Sequence, residues 1–286
     1  MTGRIATWTA RGVLGRASAQ RVQLHSKHLA MSDWARDYFE RGYAQRWGLP
    51  APSDHVRLEA DGLHQLLQLS PGSRVIDIGC GHGRHAIALA DRGLDVVGLD
   101  FAGALLKRAH QVATECRAPV RWIQGDMRRL PFRSESAGAV LMMDAFGFFE
   151  RDEEDDALLR EAARVLKPSG RLGLKVVNGG PVLGAFRDSD REERDGTAIS
   201  VRRTLELDPP RMTERITVSG SRGPGEYERR QRLYVVEELR DALERSGFDM
   251  AGVFARPDGM PFEPAQSPAM WIVGTRRAVH GRDAAG

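Results

Sequence analysis

The chain has 286 residues, 41% of them hydrophobic and 28% charged, with two cysteines and a net charge of +3; this fits one α/β domain with a small appendage. No apolar run approaches the roughly 20 residues that span a bilayer, and Cys80 and Cys116 are too few for a disulfide framework or a zinc site, so no membrane, no metal and a cytoplasmic location are expected. The positive charge is local, because residues 1–31 hold Arg4, Arg11, Arg16, Arg21 and Lys27 and no acid, and the slightly acidic remainder lacks the basic face that nucleic acid requires.

Residues 1–31 form a basic leader. Its composition is that of an organelle transit peptide; the plainer reading is a disordered tail, or an early start with Met31 as the true beginning. Ser32 caps a helix over Asp33–Trp47 with Trp34, Tyr38 and Phe39 at helical spacing. Pro50–Pro52 break it, and Ser53 caps a second helix to about Leu69, with Leu58, Leu63, Leu66 and Leu67 as its apolar stripe.

Strands and helices then alternate. Strands are expected at Arg74–Ile78, Asp95–Leu99, Val120–Gln124, Ala137–Met143 and Arg171–Val177. Helices are expected at Arg84–Arg92, Ala102–Cys116 and Asp152–Leu166, with Lys167–Gly170 as a turn. This alternation predicts an α/β fold, a doubly wound, mostly parallel seven-stranded sheet with helices on both faces. Gly179–Gly196 reads as irregular. Three short strands near 197–207, 211–220 and 226–236 read as an inserted antiparallel meander. A helix at Glu237–Ser246 and strands near Met250–Ala255 and Ala269–Thr275 complete the sheet. The chain thus divides into a leader (1–31), an N-terminal helical lid (32–70), an α/β domain (71–180 and 237–278), a meander acting as lid or dimer contact (181–236) and a tail (279–286).

The most informative segment is Val75-Ile76-Asp77-Ile78-Gly79-Cys80-Gly81-His82-Gly83. A buried strand ends in a glycine turn that opens a helix, so backbone can approach a ligand closely and free N–H groups await an anion. Asp77 is a carboxylate inside a strand, costly unless it meets a donor. Asp100 ends the next strand, where an acid can accept both hydroxyls of a ribose. A dinucleotide site would show G-x-G-x-x-G, but Arg84 stands where its last glycine belongs. Asp77 could serve an amine, directly or through water.

Four ordered motifs carry a resemblance: the Asp77–Gly83 loop, Gly98-Leu99-Asp100, Gly125-Asp126-Met127 followed by Leu130-Pro131-Phe132, and Arg164-Val165-Leu166-Lys167-Pro168-Ser169-Gly170-Arg171. Over residues 33–277 the chain resembles the class I S-adenosylmethionine-dependent methyltransferases of the bacterial small-molecule type. Ser169 stands where that family often has a second glycine. The resemblance implies S-adenosylmethionine as cofactor, with Asp77, Gly79, Cys80, Gly81 and Gly83 along the methionine portion. It places Asp100 and Phe101 at the ribose, Asp126 and Met127 at the adenine, and Asp144 at the reacting end.

The segment facing the acceptor reads Met142-Met143-Asp144-Ala145-Phe146-Gly147-Phe148-Phe149. The Asn/Asp-Pro-Pro-Tyr signature of planar-nitrogen methyltransferases is missing, so a small-molecule acceptor is expected. Phe146, Phe148 and Phe149 form an apolar site, covered by Trp34, Tyr38 and Tyr43. A base is needed only if the acceptor must lose a proton; His85, Asp144 and Tyr234 are the candidates. His82 reads as a spacer in the loop, and Asp258, in a turn between the last strands, could approach the acceptor. Two other readings remain open: an NAD(P)-dependent oxidoreductase on a similar sheet, and a non-catalytic ligand-binding protein. A homodimer is a further expectation.

Overall fold

A computed structural model describes residues 32–278; the leader, Met31 and the tail beyond 278 lie outside the described residues. The N-terminal segment comprises α1 (Asp33–Asp37), a π-helical turn (Tyr38–Gly42), α2 (Tyr43–Trp47) and α3 (Asp54–Leu66). The α/β unit follows as β1 (Arg74–Ile78), α4 (Arg84–Ala90), β2 (Asp95–Asp100), α5 (Gly103–Glu115), β3 (Arg121–Gln124), β4 (Ala137–Met143), α6 (Asp152–Val165), β5 (Leu166–Val177) and α7 (Gly179–Gly184). Then come β6 (Ser189–Arg194), β7 (Thr197–Leu207), β8 (Pro210–Gly220), β9 (Gly225–Arg232), α8 (Val236–Arg245), β10 (Phe248–Phe254) and β11 (Ala269–Arg276).

Seven strands form one sheet in the order β10-β11-β5-β4-β1-β2-β3. β1 to β5 run parallel, while β11 is antiparallel to both β5 and β10. Both faces of the central strands are apolar, as a covered parallel sheet requires. Successive side chains point to opposite faces. Ile76, Ile78, Val140 and Met142 therefore pack with α6 and α8, while Val75, Ala139 and Leu141 pack with α3 and α4. The expected turn Lys167–Gly170 survives as an irregularity inside β5: Ala137 pairs with Leu166 but Ala139 with Arg171, and Ser169 has φ +61°.

The meander has four strands in the order β6-β7-β8-β9, one more than expected. Its apolar face carries Ile199, Val201, Ile216, Val218 and Tyr227, and it closes on Tyr38, Phe39 and Tyr43 of the N-terminal segment. The cover on this face is the chain's own N-terminal segment. The single helix expected over Asp33–Trp47 is interrupted by the π turn, and Gly42 explains its tight seat. A Cβ there would stand 2.5 Å from the Tyr227 ring. In α3, the buried stripe is Val56, Ala60 and Leu63, continuing in Leu67; Leu58, expected within it, is exposed.

A buried ion cluster ties the meander to this segment. Glu214 of β8 is 3% exposed and accepts from Arg46 Nη1 at 2.9 Å, Arg229 Nη1 at 2.6 Å and Arg203 Nε at 3.0 Å. Burial alone would raise its carboxyl, but Arg229 and Arg46 outweigh burial and hold it at about 2. The stabilisation it gives is thus present above the ordinary glutamate range and lost as pH falls toward 2. Replacing Glu214 by Gln leaves Arg46 and Arg229 without their carboxylate and Arg203 with Asp190 alone, 3.9 Å away. Urea unfolding should show a loss of about 3–5 kcal/mol; an unchanged midpoint would contradict the cluster's role.

Candidate active site

One cavity of about 480 Å³ opens at the C-terminal ends of β1, β2 and β4, where ligands bind in open α/β sheets. Its floor is the turn after β1. Asp100 shapes that turn: its Oδ2 accepts the Gly81 N–H at 2.7 Å, and its Oδ1 accepts that of Ala102 at 2.8 Å. Gly79 N and Cys80 N donate to Leu99 O at 2.8 and 3.1 Å.

The three loop glycines do different work. A Cβ at Gly79 would meet Ala145 Cβ at 2.5 Å, and one at Gly83 would meet the Trp122 ring at 2.3 Å, so these two are demanded by packing. Gly81, at φ +56°, would touch the protein only at Leu105 Cδ1, 3.9 Å away. Its missing side chain leaves room in the cavity, whose lining includes it.

Asp77 and Asp100 line the same cavity and are 2% and 6% exposed. Burial, together with the neighbouring Asp100 charge, pushes the Asp77 carboxyl up to about 7, against the charge of Arg84 and a hydrogen bond from the Ala86 amide. Burial pushes Asp100 up to about 6 against backbone N–H groups of Ala102, Gly81 and Phe101. Two buried acids facing one cavity call for a cationic or hydroxyl-bearing ligand.

The roof is the N-terminal segment. Ala35, Phe39 and Tyr43 line the cavity, and the Phe39 ring meets Phe101 at 5.8 Å and Phe148 at 5.4 Å, both edge-on. Glu40 fixes this roof by accepting the Gly103 and Ala104 amides at 2.9 and 3.1 Å, which caps the first turn of α5. Trp34 Nε1 donates to Glu150 at 2.8 Å across the cavity's rim. No residue of the four meander strands lines the cavity; the meander backs the roof.

The structure brings together Asp77, Gly79, Cys80, Gly81, His85, Asp100, Phe101, Met127 and Asp144 around this space. Gly83 packs just behind it. Asp144, at φ +58°, receives Arg84 Nη2 at 3.0 Å and Lys175 Nζ at 2.9 Å on one oxygen. His82 is more than a spacer: it is buried, lines the cavity, and is held neutral at about 4 by burial and by the charge of Arg84.

Other expectations are not met by the geometry. Tyr234 does not overhang the cavity; it is buried, its hydroxyl donates to Asp155 at 2.9 Å and its ring lies 5.5 Å from Phe146. Phe146 likewise faces the core, while Phe148 and Phe149 line the cavity. Tyr38 is spent on the meander. Asp126 is held by Arg128, Nη2 to Oδ2 at 2.6 Å, and it is Met127 and Arg128 that line the wall. Asp258 pairs with Arg256 in an exposed turn. Glu40 was not singled out from sequence; Phe39 was read only as part of a helical stripe, and Arg84 only as the residue that replaces the last glycine of a dinucleotide loop.

Residues 75–170 match the methyltransferase-domain family. The demethylmenaquinone methyltransferase of Renibacterium salmoninarum is 35% identical over 155 residues, 54% of this chain and 57% of that protein; the chain thus spans little more than half of that relative's length. The cypemycin N-terminal methyltransferase of a Streptomyces species is 26% identical over 209 residues, 71% of this chain and 82% of that protein. In fold, the CcbJ methyltransferase from Streptomyces caelestis superimposes with a TM-score of 0.73 at 19% identity, covering 84% of this chain and 98% of that one. The chain is thus similar to methyltransferases over residues 75–170 and, in fold, over most of its length.

The cavity fits S-adenosylmethionine, the cofactor that the resemblance implies. Its volume lies within the range of small-molecule sites, Gly81 leaves open space beside the turn, and the buried acids suit an ammonium and a diol. Gly81→Val should cost about 1–2 kcal/mol of stability at this positive φ and weaken S-adenosylhomocysteine binding more than about tenfold by calorimetry. Retained affinity in a folded variant would remove the turn from the site. The acids also impose a pH dependence. Because both carboxyls are raised in the free protein, a bound cation must draw off a proton below about pH 7. S-adenosylmethionine affinity should fall about tenfold from pH 8 to pH 6; a flat profile would mean neither acid meets the ligand's charge.

Proposed function

We propose that this methyltransferase binds S-adenosylmethionine along the Gly79–Gly83 turn and transfers its methyl group to a small-molecule acceptor by in-line displacement. The observation that carries this reading is the pair of buried acids, Asp77 and Asp100, beside a glycine whose missing side chain opens the cavity. Asp100 is assigned the ribose hydroxyls and Asp77 the methionine ammonium. Phe101 and Met127 flank the adenine, and Asp126 would have to leave Arg128 to reach the adenine amine. An oxidoreductase reading fares worse, since Arg84 replaces the last glycine of a dinucleotide loop and the anionic pyrophosphate would lie on a turn beside the buried Asp77 carboxyl.

Bound there, the cofactor supplies a methyl group already activated on a sulfonium, so the protein's contribution is chiefly position and the exclusion of water. Phe39, Phe148 and Tyr43 supply an apolar wall for the acceptor, and the Glu40 contacts keep the roof closed on α5. The Renibacterium relative is named for demethylmenaquinone and the Streptomyces relative for the N-terminus of cypemycin. A cavity of about 480 Å³ that must also hold the cofactor favours an acceptor of small size. No helix among the described residues is long and apolar enough to cross a membrane.

Calorimetry with S-adenosylhomocysteine and with NAD, paired with transfer of radiolabelled methyl into a metabolite extract, tests the assignment. Binding of the first ligand alone, with label entering low-mass products, is expected. NAD binding without S-adenosylhomocysteine binding would overturn it.

A further inference from the structure

Behind Asp144 lies a buried pair that the cofactor does not need. His85 is the second residue of α4, 3% exposed, and it lines the cavity. Its Nε2 lies 3.0 Å from Glu59 Oε2 on α3, itself 6% exposed. Among the described residues, His85 Nδ1 makes no hydrogen bond. We propose that Glu59 is a positioning residue that receives Nε2–H and leaves the Nδ1 lone pair of His85 toward the cavity as the base for the methyl acceptor. This rests on the methyltransferase reading and narrows it: the acceptor carries a proton to be removed, as a hydroxyl or an ammonium does.

The surroundings allow the pair to work this way. On its own element and turn, His85 neighbours Arg84 and His82; α3 contributes Glu59 and His55, β4 ends in Asp144, and β5 contributes Lys175. Arg84 and Lys175 both reach Asp144, at 3.0 and 2.9 Å, so the two cations are largely taken up there. Lys175 stands 3.9 Å and His55 3.5 Å from Glu59 Oε1, which leaves Oε2 to the imidazole. Burial raises the Glu59 carboxyl, but the His85 hydrogen bond and charge, with Lys175 and Arg84, bring it down to about 2. Burial lowers His85 against the Glu59 hydrogen bond, so the ring is neutral and able to accept a proton.

A carboxylate that fixes the tautomer of an imidazole and steadies its cationic form is the arrangement by which histidine bases are made. As the methyl carbon bonds to the acceptor oxygen or nitrogen, the carbon–sulfur bond breaks and its electron pair stays on sulfur, giving the thioether. The acceptor proton passes to His85 Nδ1, during the attack for a hydroxyl and before it for an ammonium, whose nitrogen has no lone pair until then. The imidazolium is held by Glu59 until the proton returns to water. If the pair only tied α3 to α4, a tautomer with its lone pair toward a cavity would not be required.

The test uses the full chain labelled with ¹⁵N-histidine, with and without S-adenosylhomocysteine, the His85 signal being assigned by its loss in His85→Gln. The wild type should show Nε2–H and an unprotonated Nδ1 at pH 7. In Glu59→Gln the His85 titration midpoint should move down by about one pH unit while S-adenosylhomocysteine affinity stays put. Methyl transfer into a metabolite extract should fall about a hundredfold in His85→Gln, and in Glu59→Gln its pH profile should follow the moved midpoint. An Nδ1–H tautomer in the wild type overturns the proposal even if Glu59→Gln does not fold. Coincident midpoints, or wild-type transfer by His85→Gln, overturn it as well. Failure of the wild type to bind S-adenosylhomocysteine or to transfer label instead overturns the parent reading.

Discussion

The site depends on one buried carboxylate. Asp100, at the end of β2, accepts the amide of Gly81 at 2.7 Å and that of Ala102 at 2.8 Å, so it fixes the turn after β1 to the start of α5. A carboxylate with 6% exposure is costly unless such donors surround it. Because these donors only partly offset burial, the group retains a strong demand for a further partner inside the cavity. The same bond that shapes the cofactor turn thus prepares it for a diol or a cation. Gly79 and Gly83 complete the constraint by admitting Ala145 and Trp122 where side chains would block them.

The second level is the layering above this floor. The meander cannot leave Ile199, Val201, Ile216 and Val218 in water, and it covers them with Tyr38 of the N-terminal segment. That docking turns Phe39 and Tyr43 toward the cavity. Gly42 lets the chain pass against Tyr227, and the π turn at Tyr38–Gly42 shifts the helical register between the face given to the meander and the face given to the site. The inserted sheet therefore acts on the site through the roof it supports. Its free edge, β6, reads Ser-Asp-Arg-Glu-Glu-Arg, a charged edge that resists pairing with another chain.

The large sheet was legible because its strands are short apolar runs separated by glycine turns; β1 and β4 fall on the expected residues. β6 was not legible, since an edge strand with almost every side chain in water shows no apolar alternation; it pairs with β7 along the backbone, with one long Arg203–Asp190 ion pair beside it. Among the aromatics after β4, sequence could not say which face the core. That is decided by the turn at Asp144 and Gly147, with φ of +58° and +83°, which sends Phe146 inward and Phe148 to the cavity. Tyr234 was misplaced for a related reason: its partner Asp155 lies 79 residues away. The Glu59–His85 pair spans 26 residues and two helices, a distance at which spacing carries no signal. The pairing of Asp126 with Arg128 two residues on is local, yet from sequence Asp126 was given to the adenine and Arg128 was passed over.

The central claim is that the turn pinned by Asp100 is the seat of S-adenosylmethionine. A crystal structure of the chain grown with S-adenosylhomocysteine tests it most directly. The account predicts the ligand along Gly81, its ribose hydroxyls on the Asp100 carboxylate and its amino group toward Asp77. A ligand bound away from that turn, or a cavity left empty at saturating concentration, would contradict it.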